Sequence, residues 1–170
     1  MSTITKSRFD SLVAQLGSQL HEGWREEYHA GNLKKNLPAD APRWKDTSDQ
    51  DWVEENKEQP YFRMENGMPQ VNIDIDFAFL PSDKRESNER AATVALAAVL
   101  AIQVESDEDI ERICAEFVHP AWTGRDMESA VKEKTPYCLA EGMHVRFDQL
   151  SEANKEKDRL QVRLALKVIG

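Results

Sequence analysis

The chain has 170 residues, of which 40% are hydrophobic and 31% are charged, and its formal net charge is −9. This charge argues against duplex DNA or RNA as a main partner, because binding to their phosphates needs a basic face. A small anionic ligand is not excluded, since it needs only a few local cations. The length suits one domain.

The first ten residues contain no apolar signal-peptide core, so we expect a cytoplasmic protein. The longest apolar stretch, 91–104, is too short to cross a bilayer core of about 30 Å, and no membrane partner is expected. Cys114 and Cys138 are expected to be reduced thiols, with a single disulfide as the alternative.

The first half of the chain predicts a helix, an arm and a strand. Apolar residues recur every three or four positions from about Ile4 to Ala30, which is typical of an amphipathic helix. From Gly31 to Gln70 the chain is polar and rich in proline but keeps four aromatic residues, which predicts a long irregular arm folded back on the protein. Period-two alternation from Val71 to Phe77 predicts a short strand or an extended arm with one buried face.

Helices dominate the prediction for the second half. Ser82 is expected to cap a helix that runs to about Val104, and Ser106 the next helix, with Asp109 at the capping-box spacing. Pro120 is expected to stop or kink that helix. After an irregular segment, 124–146, Ser151 is expected to cap the last helix.

Two short motifs occur twice. LHEGW (Leu20–Trp24) matches VHPAW (Val118–Trp122), and FAFL (Phe77–Leu80) matches FDQL (Phe147–Leu150). Eight residues after each last leucine stands Asn88 in the first copy and Asp158 in the second. Because one helix pair rarely buries its own apolar face, paired copies are expected to close a shared core.

The predicted fold class is therefore mainly α, with two pseudo-symmetric helix-arm-helix repeats and short extended or β segments. We expect a single domain, 1–170, with the first repeat at about 5–104 and the second at about 105–170. Four leucines at matching positions are expected in the core: Leu80, Leu96, Leu150 and Leu166.

The repeated elements resemble a known family. A helix with His-x-x-Trp, an arm, an aromatic-x-x-Leu motif and a helix that opens with a charged turn, as in LSEANKEKDR (Leu150–Arg159), is similar to the ryanodine-receptor repeat, or RyR, domain of prokaryotic or phage type. The resemblance implies two tandem copies and a non-catalytic role. It further implies recognition of a nucleotide-derived signal, for instance sequestration by a phage anti-defence protein.

The candidate ligand residues are aromatic and basic side chains that lie close together in sequence. Tryptophan beside a guanidinium suits a purine ring and its phosphate. The candidates are Arg43, Lys45, Trp44 and Trp52 in the arm, Trp24 and Arg25 on the first helix, and Trp122 and Arg125 in the second repeat. The alternatives are that Trp24 and Trp122 pack in the core and that the arm tryptophans hold the arm down. His21 and His119 are expected to be structural.

Other site classes find less support in the sequence. Phe77 stands where an EF-hand after NIDID needs glycine, and the spacing of Cys114, His119, Cys138 and His144 is unusual for zinc. No catalytic motif stands out. We expect no enzyme, metal or cofactor, although a hydrolase of the same ligand stays a weaker third class. The main alternative to ligand binding is a protein-interaction module whose arm tryptophans bury into a partner chain, and homo-oligomerisation is left open.

Overall fold

The computed structural model describes residues 4–124 and 145–170. The described chain is mainly helical with one three-stranded antiparallel sheet, which confirms the predicted mainly α class with short β segments. It forms two compact units: one comprises Gly17–Glu89, and the other comprises the rest of the described chain. The single domain with a repeat boundary near residue 104 stays a prediction.

The first helix, α1 (Lys6–Lys34), is one turn longer at its end than predicted. It ends where Asn36 takes a left-handed φ of 58°, a conformation that asparagine tolerates. The buried side chain of Asn32 donates to the carbonyl of Ala39 at 2.9 Å, which ties the chain beyond the helix back to it.

The arm after α1 is ordered, so the prediction of an irregular segment was wrong. It contains β1 (Trp44–Asp46), α2 (Gln50–Asn56), β2 (Phe62–Glu65) and β3 (Met68–Asn72). The sheet order is β1-β3-β2, and Val71 of β3 pairs with Lys45 on one side and Phe62 on the other. A tight turn with positive φ at Asn66 (51°) and Gly67 (78°) joins β2 to β3, as two-residue hairpins prefer.

The strand predicted from Val71 to Phe77 was wrong in its bounds, because β3 ends at Asn72 and Phe77–Phe79 forms a 3-10 turn. The alternation also fails at Asp74, which is buried together with Val71 and Phe77. The carboxylate of Asp74 is held by Arg25 and His29 of α1. These bonds satisfy a buried charge, which would otherwise be costly.

The third helix, α3 (Ser82–Ala101), includes Ser82 as its first residue. The predicted cap was therefore one residue out of place, and Asp49 binds this helix end instead. Its carboxylate accepts the amide of Trp52 at 3.0 Å and both the amide and the hydroxyl of Ser82 at 2.8 and 2.7 Å. These hydrogen bonds, that from Trp52 first, lower the pKa of Asp49. One carboxylate thus fixes the starts of two helices.

The fourth helix, α4 (Asp107–Ile113), has the predicted capping box between Ser106 and Asp109. Its continuation was not predicted: Cys114–Val118 is a π-helical turn, and residues 119–124 are helical. Pro120 was predicted to stop or kink the helix; it does not stop it, and the helix departs from regular geometry in the turn just before it. Proline lacks an amide hydrogen and crowds the preceding turn, and the wider π turn just before it relieves that conflict.

The last helix, α5 (Glu152–Ile169), follows a 3-10 turn at Phe147–Gln149 and is capped by Ser151, as predicted. Burial of Leu80, Leu96 and Leu150 confirms three of the four predicted core leucines. Leu166 is only half-buried, because the inner face of α5 is instead formed by Val162 and Ala165.

Within residues 4–124 and 145–170, no helix is long and apolar enough to cross a membrane.

Candidate functional site

A row of aromatic rings lies along α1 in the Gly17–Glu89 unit. His21, Trp24 and Tyr28 are spaced three and four residues apart, so their side chains share one helix face. The ring centroids of His21 and Trp24 are 5.6 Å apart, those of Trp24 and Tyr28 are 5.3 Å apart, and both pairs are stacked. The row is a preformed aromatic surface that is half-buried at Trp24 and Tyr28.

Both ends of this row are fixed by hydrogen bonds to backbone carbonyls. His21 Nε2 lies 2.8 Å from the carbonyl oxygen of Ile75, so this nitrogen carries the hydrogen. Burial lowers the pKa of His21, which favours the neutral imidazole. At the other end the Tyr28 hydroxyl donates to the carbonyl of Ala41 at 2.8 Å.

Arg43 lies across the row. Its guanidinium carbon is 5.5 Å from the centroid of Trp24 and 5.7 Å from that of Tyr28, within cation–π range. Its backbone is held by Asn72 Oδ1, which accepts the Arg43 amide at 2.9 Å, and by the amide of Ile73, which donates to the Arg43 carbonyl. Arg43 is exposed, and no carboxylate of the described residues forms an ion pair with it.

The remaining arm cation and tryptophan point to opposite sides. Lys45 is an exposed residue of β1 and stands two positions after Arg43, a spacing at which side chains in extended chain share a face. Trp44 faces the other way, where the guanidinium of Arg63 lies 4.5 Å from its centroid. Arg63 is held there by a 2.8 Å bond from its Nε to Gln70.

Arg25, a predicted phosphate ligand, is already paired with carboxylates. It binds Asp74 at 3.0 Å, Asp76 at 2.8 Å and Glu22 at 2.9 Å. Burial alone would lower the pKa of Arg25, but the hydrogen bond to Asp74 and the other carboxylates raise it. Both oxygens of Asp74 also lie 2.8 Å from Nε2 of His29. Arg25 therefore holds the chain after β3 against α1 and has little capacity left for an anionic ligand.

Trp52 lies in a separate cluster. Its side chain is buried, and its Nε1–H donates to the carbonyl of Phe79 at 2.9 Å. Its ring packs against Tyr61 and Phe62, with centroids 6.1 and 6.3 Å away. This arrangement matches the alternative in which an arm tryptophan holds the arm down, so Trp52 is not brought together with Arg43.

The second repeat reproduces the His-x-x-Trp arrangement. His119 stacks on Trp122 with centroids 6.2 Å apart, and its Nε2 donates to the carbonyl of Val145 at 2.6 Å. Val145 stands two residues before Phe147, as Ile75 stands two residues before Phe77. His119 Nδ1 additionally lies 3.1 Å from Oδ2 of the buried Asp158. Arg125 lies outside the described residues.

The geometry also bears on catalysis and metals. Cys114 is a buried free thiol, and burial raises its pKa to about 12, so it is protonated and a poor nucleophile. Residues 4–124 and 145–170 contain no group of three or more histidine, cysteine, aspartate or glutamate side chains that could hold a metal ion. Cys138 and His144 lie outside those ranges.

Three contributors to the site were missed in the sequence. Tyr28 could have been found, since it lies one helical turn after Trp24. His29 and Asp74 could not have been found, because their pairing joins residues 45 positions apart.

No protein-family model, no curated protein and no solved structure matches this chain. The resemblance to the ryanodine-receptor repeat rests on the sequence motifs and stays a prediction.

Proposed function

We propose that this chain is a ryanodine-receptor-repeat protein that binds a small nucleotide-derived ligand without chemical transformation. The observation that carries the proposal is Arg43, an exposed guanidinium without a carboxylate partner among the described residues, held over Trp24 and Tyr28. A guanidinium stacked on aromatic rings keeps its N–H donors at its edge, where a phosphate can accept two of them.

Local charge favours a phosphate here even though the protein is acidic overall. Lys45 stands two positions after Arg43 and is exposed, and the alternation of an extended chain predicts a second cation on the same side. Distant carboxylates are screened beyond about 8 Å at physiological ionic strength. Arg25 is paired with Glu22, Asp74 and Asp76, and its single positive charge offsets one of their three negative charges. The half-buried edges of Trp24 and Tyr28 offer apolar surface to a base or ribose. Binding without turnover amounts to sequestration or sensing of the ligand.

Titration calorimetry on the full chain tests the proposal with cyclic dinucleotides, ADP-ribose derivatives and ATP. We expect one of these classes to bind and Arg43→Ala to weaken it about ten- to hundredfold, the loss of a charge-assisted hydrogen bond of about 1.5–3 kcal/mol. The matched control is Arg63→Ala, which removes an arginine that stacks on Trp44 of the arm and should leave the affinity unchanged. Equal affinities for Arg43→Ala and wild type would show that the phosphate does not bind at Arg43.

The second candidate function is a protein-interaction module. Trp52 is buried within its own unit and is not available to a partner chain. Four large apolar side chains of the same unit are at least half exposed: Leu33, Met64, Met68 and Phe79. If no nucleotide binds the wild type at millimolar concentration, nucleotide binding is wrong and this candidate replaces it.

A further inference from the structure

A cavity of about 450 Å³ lies at the His-x-x-Trp motif of the second repeat. Its wall is apolar, formed by Ala91 and Val94 of α3 and by Val118, Pro120 and Trp122. The polar side chains around it are Arg90, Thr93 and Gln161. An apolar cleft of a few hundred Å³ with a few polar groups is typical of sites for small organic ligands.

The cavity wall is formed where the helix departs from regular geometry. Val118 ends the π-helical turn Cys114–Val118, and Pro120 and Trp122 follow within the next turn. A π turn widens the helix and offsets every side chain that follows it. Such turns are kept at a cost in backbone hydrogen bonding and occur often at functional sites. The π turn and the cavity are independent observations that point to the same place.

Trp122 is held in position by a neighbouring ring. Its ring stacks on His119 at a centroid distance of 6.2 Å and an interplanar angle of 20°. His119 is itself fixed by the Val145 carbonyl at 2.6 Å and by Asp158 at 3.1 Å. A ring fixed in this way loses little conformational entropy when a second ring packs against it, which favours binding.

We propose that this cavity binds a flat, mostly apolar ring compound that carries one anionic substituent. The ring packs against Trp122, Val94 and Val118, and the substituent lies near Arg90 and Gln161. This ligand differs in chemistry from the phosphate-rich ligand proposed for the Arg43 surface, because most of the cavity wall is apolar. The inference does not depend on nucleotide binding in the first repeat.

The test uses the full chain and two probes, naphthalene-1-sulfonate and neutral naphthalene, followed by two-dimensional NMR of the tryptophan indole N–H groups. The Trp122 signal is assigned as the one that Trp122→Phe removes. We expect naphthalene-1-sulfonate to shift this signal, to saturate, and to bind at least fivefold more tightly than naphthalene. Saturation with no shift at Trp122, or equal affinities for the two probes, would overturn the proposal.

Two alanine substitutions on α3 give a matched comparison. Ala91→Leu adds bulk to the cavity wall, whereas Ala97→Leu adds the same bulk at an exposed position that is not part of the wall. We expect at least tenfold weaker binding of naphthalene-1-sulfonate for Ala91→Leu and a change of less than twofold for Ala97→Leu. If Ala91→Leu and Ala97→Leu bind the probe equally, the cavity is not its site. The NMR titration of the wild type decides the question if Ala91→Leu does not fold.

Discussion

At the scale of single residues, the buried contact between His119 and Asp158 raises the question of which side chain carries the proton between them. Nε2 of His119 faces the Val145 carbonyl, which only accepts hydrogen bonds, so Nε2 carries a hydrogen. Nδ1 faces Oδ2 of Asp158 at 3.1 Å, and that contact is a hydrogen bond only if one further proton lies between the two atoms. Without this proton, a lone pair would face a carboxylate in a buried site, which is unfavourable.

The pKa of Asp158 indicates where this proton is held. Burial raises the pKa of Asp158 to about 6, although the nearby His119 opposes the shift. The folded carboxyl group therefore keeps its proton to a higher pH than the unfolded one. The stability that this gives is fully present below the unfolded pKa of about 4 and is lost as the pH rises through about 6.

Asp158→Asn replaces the titrating carboxyl group by an amide that can donate to Nδ1 of a neutral His119 at any pH. The first repeat has asparagine, Asn88, at the matching position. We expect the free energy of unfolding of the variant to rise relative to wild type by about 1–3 kcal/mol between pH 4 and pH 7. Urea unfolding of both proteins at half-unit pH steps measures the difference. A variant that loses relative stability as the pH rises would instead indicate a stable imidazolium–carboxylate pair.

At the scale of secondary-structure elements, two glycines of the same unit have opposite roles. Gly67 takes a φ of +78° in the β2–β3 turn, which other residues rarely adopt. Gly23 lies inside α1, and a Cβ built on it would have no neighbour within 4 Å. The turn therefore requires glycine, whereas the helix interior is weakened by it.

Gly23→Ala and Gly67→Ala should therefore change stability in opposite directions. The free energy of unfolding should rise by about 0.4–1 kcal/mol for Gly23→Ala, since alanine restricts the unfolded chain and favours the helix. For Gly67→Ala it should fall by about 1–2 kcal/mol, because a Cβ in the left-handed region is strained. Thermal unfolding of the two variants beside wild type provides the measurement. Loss of stability in Gly23→Ala would show that the packing around α1 is tighter than its geometry indicates.

The elements that the sequence predicted well are those with local signals. The α1 stripe, the Ser106–Asp109 capping box and the Ser151 cap each depend on residues within a turn or two of one another. The arm sheet was missed, because its strands are only three to five residues long and gain their stability from pairing across the chain. Its Asn66-Gly67 turn was a usable local signal for the hairpin.

The same distinction applies to the candidate site. Trp24 and Arg43 could be proposed from residue type alone, but their contact depends on β1 pairing with β3. The involvement of Arg25 with Asp74 and Asp76 could not be read from sequence, since about 50 residues separate the partners. Charge pairs between distant segments therefore decide which of the predicted cations remain available to a ligand.

At the scale of the whole molecule, the two repeats share one set of contacts. In each, a histidine on a helix stacks on the tryptophan three residues later and donates to the carbonyl two residues before a buried phenylalanine. That phenylalanine begins a 3-10 turn, and a buried leucine follows it: Phe77 and Leu80 in one repeat, Phe147 and Leu150 in the other. The internal repeat is therefore supported by matching contacts in the structure as well as by matching residues in the sequence.

The leucine that follows each 3-10 turn should therefore contribute equally to stability. Leu80 is 2% exposed and Leu150 is 5% exposed, so truncation of either to alanine removes a buried side chain and leaves a cavity. We expect each variant to lose about 2–5 kcal/mol in the free energy of unfolding, measured from urea midpoints of the full chain. The controls are exposed leucines of the same two units, Leu33→Ala (61% exposed) and Leu160→Ala (42% exposed), which should each lose less than about 1 kcal/mol. If Leu150→Ala behaves like its exposed control while Leu80→Ala does not, the two turns are not equivalent. The packing of the charged helix α5 would then not depend on Leu150, which precedes it.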